Sequence, residues 1–235
     1  MRVRKYGGSS LATSAQIMHI AKLLADLPPM ILVLSAPYGR TNALYDALQG
    51  LGATASTSMN HCLSLGELES CYLMQSALHH VGHGARVLNH LQIGIEASAL
   101  HGGYIAHVDP SFILSVLESG TTAIVPGFQG RYGSQLAILS RGASDETAIA
   151  LASSLSLPCE VYSNITHIHS AQGNPLDHMD YDHLLSLITD DQRPMSRRSI
   201  LLAQKHQTPL YLRHWSALAG GTEVVGKIKQ APNLG

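Results

Sequence analysis

The chain has 235 residues, of which 45% are apolar and only 13% charged. That is enough apolar material for one α/β domain with a full buried core, and the composition excludes a disordered chain. Fifteen basic against sixteen acidic residues leave a formal charge of −1, so nucleic acid is not an expected partner, because phosphate binding rests on clustered Lys and Arg.

No apolar stretch reaches the roughly 18–20 residues of a membrane span, and the longest candidate, Met30–Ala36, has strand length. Arg2, Arg4 and Lys5 are followed by Gly7-Gly8-Ser9-Ser10 where a signal peptide would place its apolar core. The three cysteines, Cys62, Cys71 and Cys159, form no CxxC pair, so neither a disulfide framework nor a zinc site is expected and a reducing cytoplasm fits best. There are fourteen histidines, with His79, His80 and His83 close together and His167 near His169. No carboxylate or cysteine falls at ligand spacing beside either group, so no metal site is expected.

Strand and helix patterns then alternate along the chain. Arg2–Tyr6 reads as a strand, with Gly7-Gly8 as the turn after it. Ile17, Ile20, Ala21, Leu24 and Leu27 recur at helical spacing until Pro28-Pro29. Met30–Ala36 is a continuous apolar run, the mark of a strand buried on both faces. Leu63–Leu78 reads as a helix, and short strands follow near Ala85–Leu88, Tyr104–Val108 and Thr122–Pro126. Leu136–Leu139, after the Gly130–Gly133 turn, reads as one arm of a hairpin. Asp145–Leu155 is a second good helix with Ser144 as its N-cap, and Cys159–Ser163 is a strand. Helices around Tyr181–Leu187 and Ser196–His206 precede strands at Leu210–Arg213 and Glu223–Val225. The alternation predicts one α/β domain with a mainly parallel sheet and helices on both faces.

Four clusters carry candidate chemistry. In Lys5-Tyr6-Gly7-Gly8-Ser9-Ser10 a strand-ending lysine meets two glycines and two hydroxyls, which places N–H groups and a positive charge where phosphate oxygens can be held. A Gly-Gly turn after a strand equally serves as a plain chain reversal. Ser35–Asn42 follows the buried strand directly, and loops at the carboxyl ends of parallel strands are the default ligand site of open α/β sheets. In Ser64-Leu-Gly-Glu67 the glutamate is either a first-turn acid stabilising a helix dipole or a ligand group. Gly127-Phe-Gln-Gly130 and Leu139-Ser-Arg-Gly-Ala-Ser-Asp145 complete the set. In the latter, Arg141 and Asp145 flank a small-residue turn as a loop ion pair or a carboxylate clamp.

In this order the clusters resemble the aspartokinases of the amino acid kinase family. The family patterns run Lys-Phe-Gly-Gly-Thr/Ser-Ser, Ser-Ala-x-x-Gly-x-Thr-Asn, Ser-x-Gly-Glu, Gly-Phe-x-Gly and Leu-Gly-Arg-Gly-Gly-Ser-Asp. All recur here, intact or with small-residue or conservative changes, and Leu91–Ile95 is similar to the family's Gln-Ala-Gly-Ile stretch. The resemblance runs from Met1 to about Val225. It implies an αβα sandwich with a mainly parallel central sheet, an amino-acid-binding half over about 1–145 and a nucleotide-binding half over about 146–235. It also implies ATP-dependent phosphorylation of the side-chain carboxylate of L-aspartate or a close analogue, with Mg²⁺. By that resemblance Arg141 grips the substrate α-carboxylate and Glu67 pairs with its α-ammonium, while Ser35, Thr41, the Phe128 backbone and Ser144 complete the pocket. Lys5 neutralises charge on the transferring phosphoryl group and Asp145 holds that lysine. Gly7, Gly8, Ser9, Ser163, Asn164 and Arg193 fall to the nucleotide. A carboxylate nucleophile is already ionised at neutral pH, so positioning and positive charge are needed rather than a general base.

The second half departs from the pattern. Where aspartokinases carry Thr-Asp-x-Asp-Gly-x-Tyr, this chain has Ser163-Asn-Ile-Thr-His-Ile-His169, without either acidic position. Asp191-Gln-Arg193-Pro stands in place of Gly-Ala-Lys-Val, and Ser140 and Ala143 replace two glycines. The family's helical segment between Thr41 and Glu67 is shortened, and no counterpart of the regulatory ACT domains is expected after the last strand. Two expectations follow: a compact kinase with altered nucleotide contacts, or an inactive homologue that binds an amino acid as a sensor or partner subunit. The low charge and apolar content point to a homodimer.

Overall fold

The computed structural model describes residues 1–188 and 195–226. The first part contains β1 (Val3–Tyr6), α1 (Ser14–Leu24), β2 (Ile31–Leu34), α2 (Arg40–Gly50), α3 (Thr57–His80) and β3 (Ala85–Val87). Short strands β4 (Ile95–Ala97), β5 (His101–Gly103) and β6 (Ile105–Val108) lead to α4 (Ser111–Glu118), β7 (Thr122–Pro126), β8 (Gln129–Tyr132), β9 (Gln135–Leu139) and α5 (Ser144–Ser154). Then come β10 (Cys159–Ser163), β11 (Ile168–His169), β12 (Pro175–Leu176), β13 (His178–Asp180), α6 (Tyr181–Leu187), α7 (Arg197–His206), β14 (Leu210–His214) and β15 (Thr222–Val225).

The main sheet has eight strands in the order β13-β15-β14-β10-β1-β2-β7-β3. Its neighbours run parallel, apart from the antiparallel β14/β15 pair. Period-2 alternation sends each strand's side chains to two cores. Val3, Ile31, Val33, Val125 and Val161 face α5 and α7, whereas Tyr6, Leu32, Leu34, Ile124 and Tyr162 face α1 and α3. This is the layered α/β sandwich expected. A further five-stranded sheet, β5-β9-β8-β4-β6, closes over α5 and α3. Sandwiched in this way, α5 is buried from Ser144 to Ala152 rather than along one stripe.

Several boundaries differ from those read in the sequence. α1 ends at Leu24, short of the prolines, and starts from a capping box in which the Thr13 hydroxyl accepts from the Gln16 N–H at 3.2 Å. α3 begins six residues before Leu63, its N-terminus capped by Ser56. Gly130 lies inside β8, and the hairpin turns instead at Gly133, whose φ of 61° suits glycine. Ser144 is not an N-cap: Ala143 holds that place, and Ser144 is the first helical residue.

Candidate functional site

The loops after β1, β2, β7 and β10 emerge at the carboxyl edge of the sheet, where parallel strands leave their crevices. β1 is the switch point of this sheet. The chain proceeds from it to β2 on one side, while β10 pairs on the other. After β1 the backbone makes one tight turn, Gly8–Ser10, rather than entering a helix directly; α1 starts only at Ser14. The Gly7 N–H is taken by the Tyr162 carbonyl at 3.1 Å, but the Gly8 and Ser9 N–H groups have no acceptor among the described residues. Gly8 cannot carry a side chain here, because a Cβ would lie 2.5 Å from the Ala36 carbonyl oxygen.

One cleft of about 310 Å³ is lined by Ser35, Thr41, Asn42, Glu67, Phe128, Arg141 and Ser144, among others. The structure therefore brings all six residues that the resemblance assigned to an amino acid to one place. Glu67 lies in the middle of α3, so the first-turn dipole reading is excluded. Its neighbour Gly66 lets the helix approach the β2 loop, where a Cβ would come within 2.8 Å of the Ala36 Cβ. This approach allows Glu67 Oε1 to accept a hydrogen bond from the Ala36 N–H at 3.3 Å. Glu67 Oε2 is buried without a partner among the described residues. Burial pushes the Glu67 carboxyl up to about 7, against the hydrogen bonds that favour its charged form.

Across the cleft, Arg141 is exposed and donates to the Asn42 amide oxygen, which draws the first turn of α2 toward the loop before α5. Arg141 and Asp145 thus form no ion pair with each other. Ser144 Oγ meets Ser35 Oγ at 2.9 Å. Phe128 adopts φ = 64°, rare for a bulky residue, and its carbonyl accepts from the Leu139 N–H. Gly127 beside it is obligatory, since a Cβ would sit 2.6 Å from the Ser144 Cβ.

Lys5 stands between Val33 and Val161 on the face of the sheet under α5 and is 7% exposed. Its Nζ lies 2.6 Å from Asp145 Oδ1, in the first turn of α5. The lysine also reaches upward, 3.5 Å from where a Gly7 Cβ would be. Ser163 ends β10 beside this loop, and its hydroxyl accepts from the Ile165 N–H at 3.2 Å. Asn164 belongs to a second cleft of about 590 Å³, lined with Thr166, His167, Ile168, His169 and the α6 residues Leu184 and Leu187. Arg193 lies outside the described residues.

Fold and clefts together define an open-sheet α/β protein with two clefts at its strand ends, where such sheets place their ligand sites. The sequence profile of the amino acid kinase family matches residues 1–214, and the chain belongs to that family. It is 31% identical to the aspartokinase of Mycobacterium bovis, over 98% of this chain and 58% of that protein. It is 28% identical to the Geobacillus stearothermophilus aspartokinase, over 99% and 60% of the two chains. The chain thus spans a little under two thirds of these relatives' length. Among solved structures, the aspartate kinase from Synechocystis superposes with a TM-score of 0.82 at 27% identity, covering 97% of this chain and 40% of that one. Aspartokinase III of E. coli, in complex with aspartate and ADP, superposes at 0.79 with 19% identity, over 98% and 66%.

Proposed function

We propose that the protein phosphorylates the side-chain carboxylate of L-aspartate, or a close analogue, with ATP to give an acyl phosphate. The observation that carries this reading is the first cleft: a buried carboxylate with a free oxygen, Glu67, shares it with the exposed guanidinium of Arg141. A free amino acid presents an ammonium and a carboxylate at one carbon, and this pair complements both. The similarity to aspartokinases supports aspartate as the amino acid.

In this reading Arg141 takes the α-carboxylate in a forked contact and Glu67 takes the α-ammonium. Ser35, Thr41, Ser144 and the Phe128 backbone fix the remaining orientation, so the side-chain carboxylate points toward β1. There Lys5, held by Asp145, sets a positive charge between two mutually repelling anions. The N–H groups of Gly8 and Ser9, unengaged among the described residues, belong to the turn that follows Lys5 and suit phosphate oxygens. Ser163 and Asn164 lead into the larger cleft, whose aliphatic wall from α6 suits a nucleoside. No group of three or more metal-ligating side chains converges among the described residues. A magnesium ion arriving with the nucleotide would find Asp145 as the carboxylate at the junction and would supply charge neutralisation there.

The larger cleft favours one second reading. Asn164 and Thr166 occupy the positions where the family pattern is acidic, and both line that cleft. An amino-acid-binding protein without phosphoryl transfer is the alternative. Hydroxylamine trapping of β-aspartyl phosphate, with L-aspartate, ATP and magnesium, separates the two. Hydroxamate that falls about 10²–10³-fold in Lys5→Ala is the expected result. Aspartate binding by calorimetry with no hydroxamate from the unaltered protein would leave the binding reading alone.

A further inference from the structure

We propose that Arg198 of α7 is a positioning residue for the Arg141–Asp145 turn, tying it at one end through Ser140 and at the other through Glu146. Arg198 Nη1 donates to Ser140 Oγ at 3.0 Å, and its Nε lies 3.1 Å from Glu146 Oε2. These two anchors bracket the stretch that presents Arg141 to one neighbour and Asp145 to another. A planar guanidinium suits such a two-point tie, because its donors are fixed relative to one another.

The turn needs holding. Gly142 at its tip has φ = 84°, and Arg141 and Gly142 are exposed. Backbone bonds from the Ser140 N–H to Gly103 O and from the Ala143 N–H to Ser140 O secure one side. Arg198 secures the other from a different layer of the molecule. The hydroxyl it grips is a departure from the pattern that Leu139–Asp145 resembles, which has glycine at the position of Ser140.

The charge arrangement points the same way. Glu146 is 5% exposed and adjoins Asp145, so two buried carboxylates open α5. Lys5 meets Asp145 and Arg198 meets Glu146. Burial pushes the Glu146 carboxyl up, Arg198 opposes that, and Asp145 adds to it. Without Arg198 the second carboxylate has no ion-pair partner among the described residues, beside the one that holds Lys5.

What the turn does for a substrate depends on the aspartate-kinase reading above; that Arg198 holds it does not. Hydrogen exchange across residues 139–147, paired with calorimetry of L-aspartate binding, tests both in Arg198→Ala, Arg198→Lys and Ser140→Gly. Arg198→Ala should speed exchange of the turn amides and weaken aspartate binding, each by about tenfold, while β1 and β2 exchange as before. Arg198→Lys keeps a charge near Glu146 but loses the fork, and should fall between. Ser140→Gly frees one end without removing a charge, and carries the test if Arg198→Ala does not fold. Unchanged exchange in the turn overturns the inference, as does faster exchange spread evenly over the sheet. If the unaltered protein binds no aspartate, the exchange data still decide the tie, and the functional reading is what fails.

Discussion

Glu67 sets the pH behaviour of the first cleft. Its carboxyl titrates near 7 in the folded chain against an ordinary value of 4.5. The folded state therefore holds a proton that the unfolded chain releases between those values, and stability falls as pH rises from about 4.5 to 7. An ammonium partner needs the ionised form, so binding must work in the opposite sense. L-Aspartate affinity should weaken about tenfold per pH unit below 7 and level off above it, with a proton released on binding. Calorimetry at pH 6 and 8, in buffers of different ionisation enthalpy, measures both. Glu67→Gln should flatten the pH profile and abolish the proton release. An unchanged slope in that variant would show that another group titrates. The residues of this cleft are legible in the sequence through the resemblance its five motifs carry, although Glu67 stands in mid-helix and not at a helix entry. The left-handed backbone of Phe128 is not legible there, since no residue type announces a strain that packing imposes.

Elements differ in how far their sequence reveals them. β2 and β7 announce themselves as short apolar runs because the sheet buries them on both faces, whereas β1 and β10 carry Arg4, Lys5 and Glu160 within equally central positions. α2 has no fully buried residue, and Leu44 and Leu48, which pack partly against the core, make too short an apolar stripe to mark a helix. The added sheet is hidden too: strands such as His101–Gly103 are three residues long and contain glycine, so pairing rather than propensity defines them. The periodic pattern of α3 starts later than the helix itself, because Thr57–Cys62 is polar and rich in weak helix formers, and this makes Glu67 look like a first-turn acid. The same helix offers a test. Alanine at Gly66 would gain about 1 kcal/mol of helix propensity, but its Cβ would collide with Ala36. The clash prevails because Ala36 belongs to a loop that must move. Gly66→Ala should raise the aspartate dissociation constant about tenfold and cost about 1–2 kcal/mol of stability. Calorimetry and a urea melt check the two effects.

At the scale of the whole molecule, both clefts lie along one edge of one sheet, so ligands that fill them stabilise the fold as a unit. At a hundredfold excess over its dissociation constant, L-aspartate should add about 2.7 kcal/mol, which for a chain of this size corresponds to about 5–10 °C in Tm. Differential scanning fluorimetry reads this directly, and Arg141→Ala should lose most of the gain. The sheet order has a consequence of another kind. β1 sits between β2 and β10, and Arg4 lies 156 positions before its partner Glu160. During synthesis at about 5–20 residues per second, one edge of β1 waits roughly 8–30 s for β10. An apolar strand left open for so long invites pairing with a neighbouring nascent chain. β1 instead carries Arg4 and Lys5, whose carboxylate partners Glu160 and Asp145 are both made late. Until then the strand bears unneutralised charge on both faces. Lys5, whose pairing with Asp145 belongs to the finished fold, thus puts on the unfinished strand a charge of the kind that disfavours aggregation.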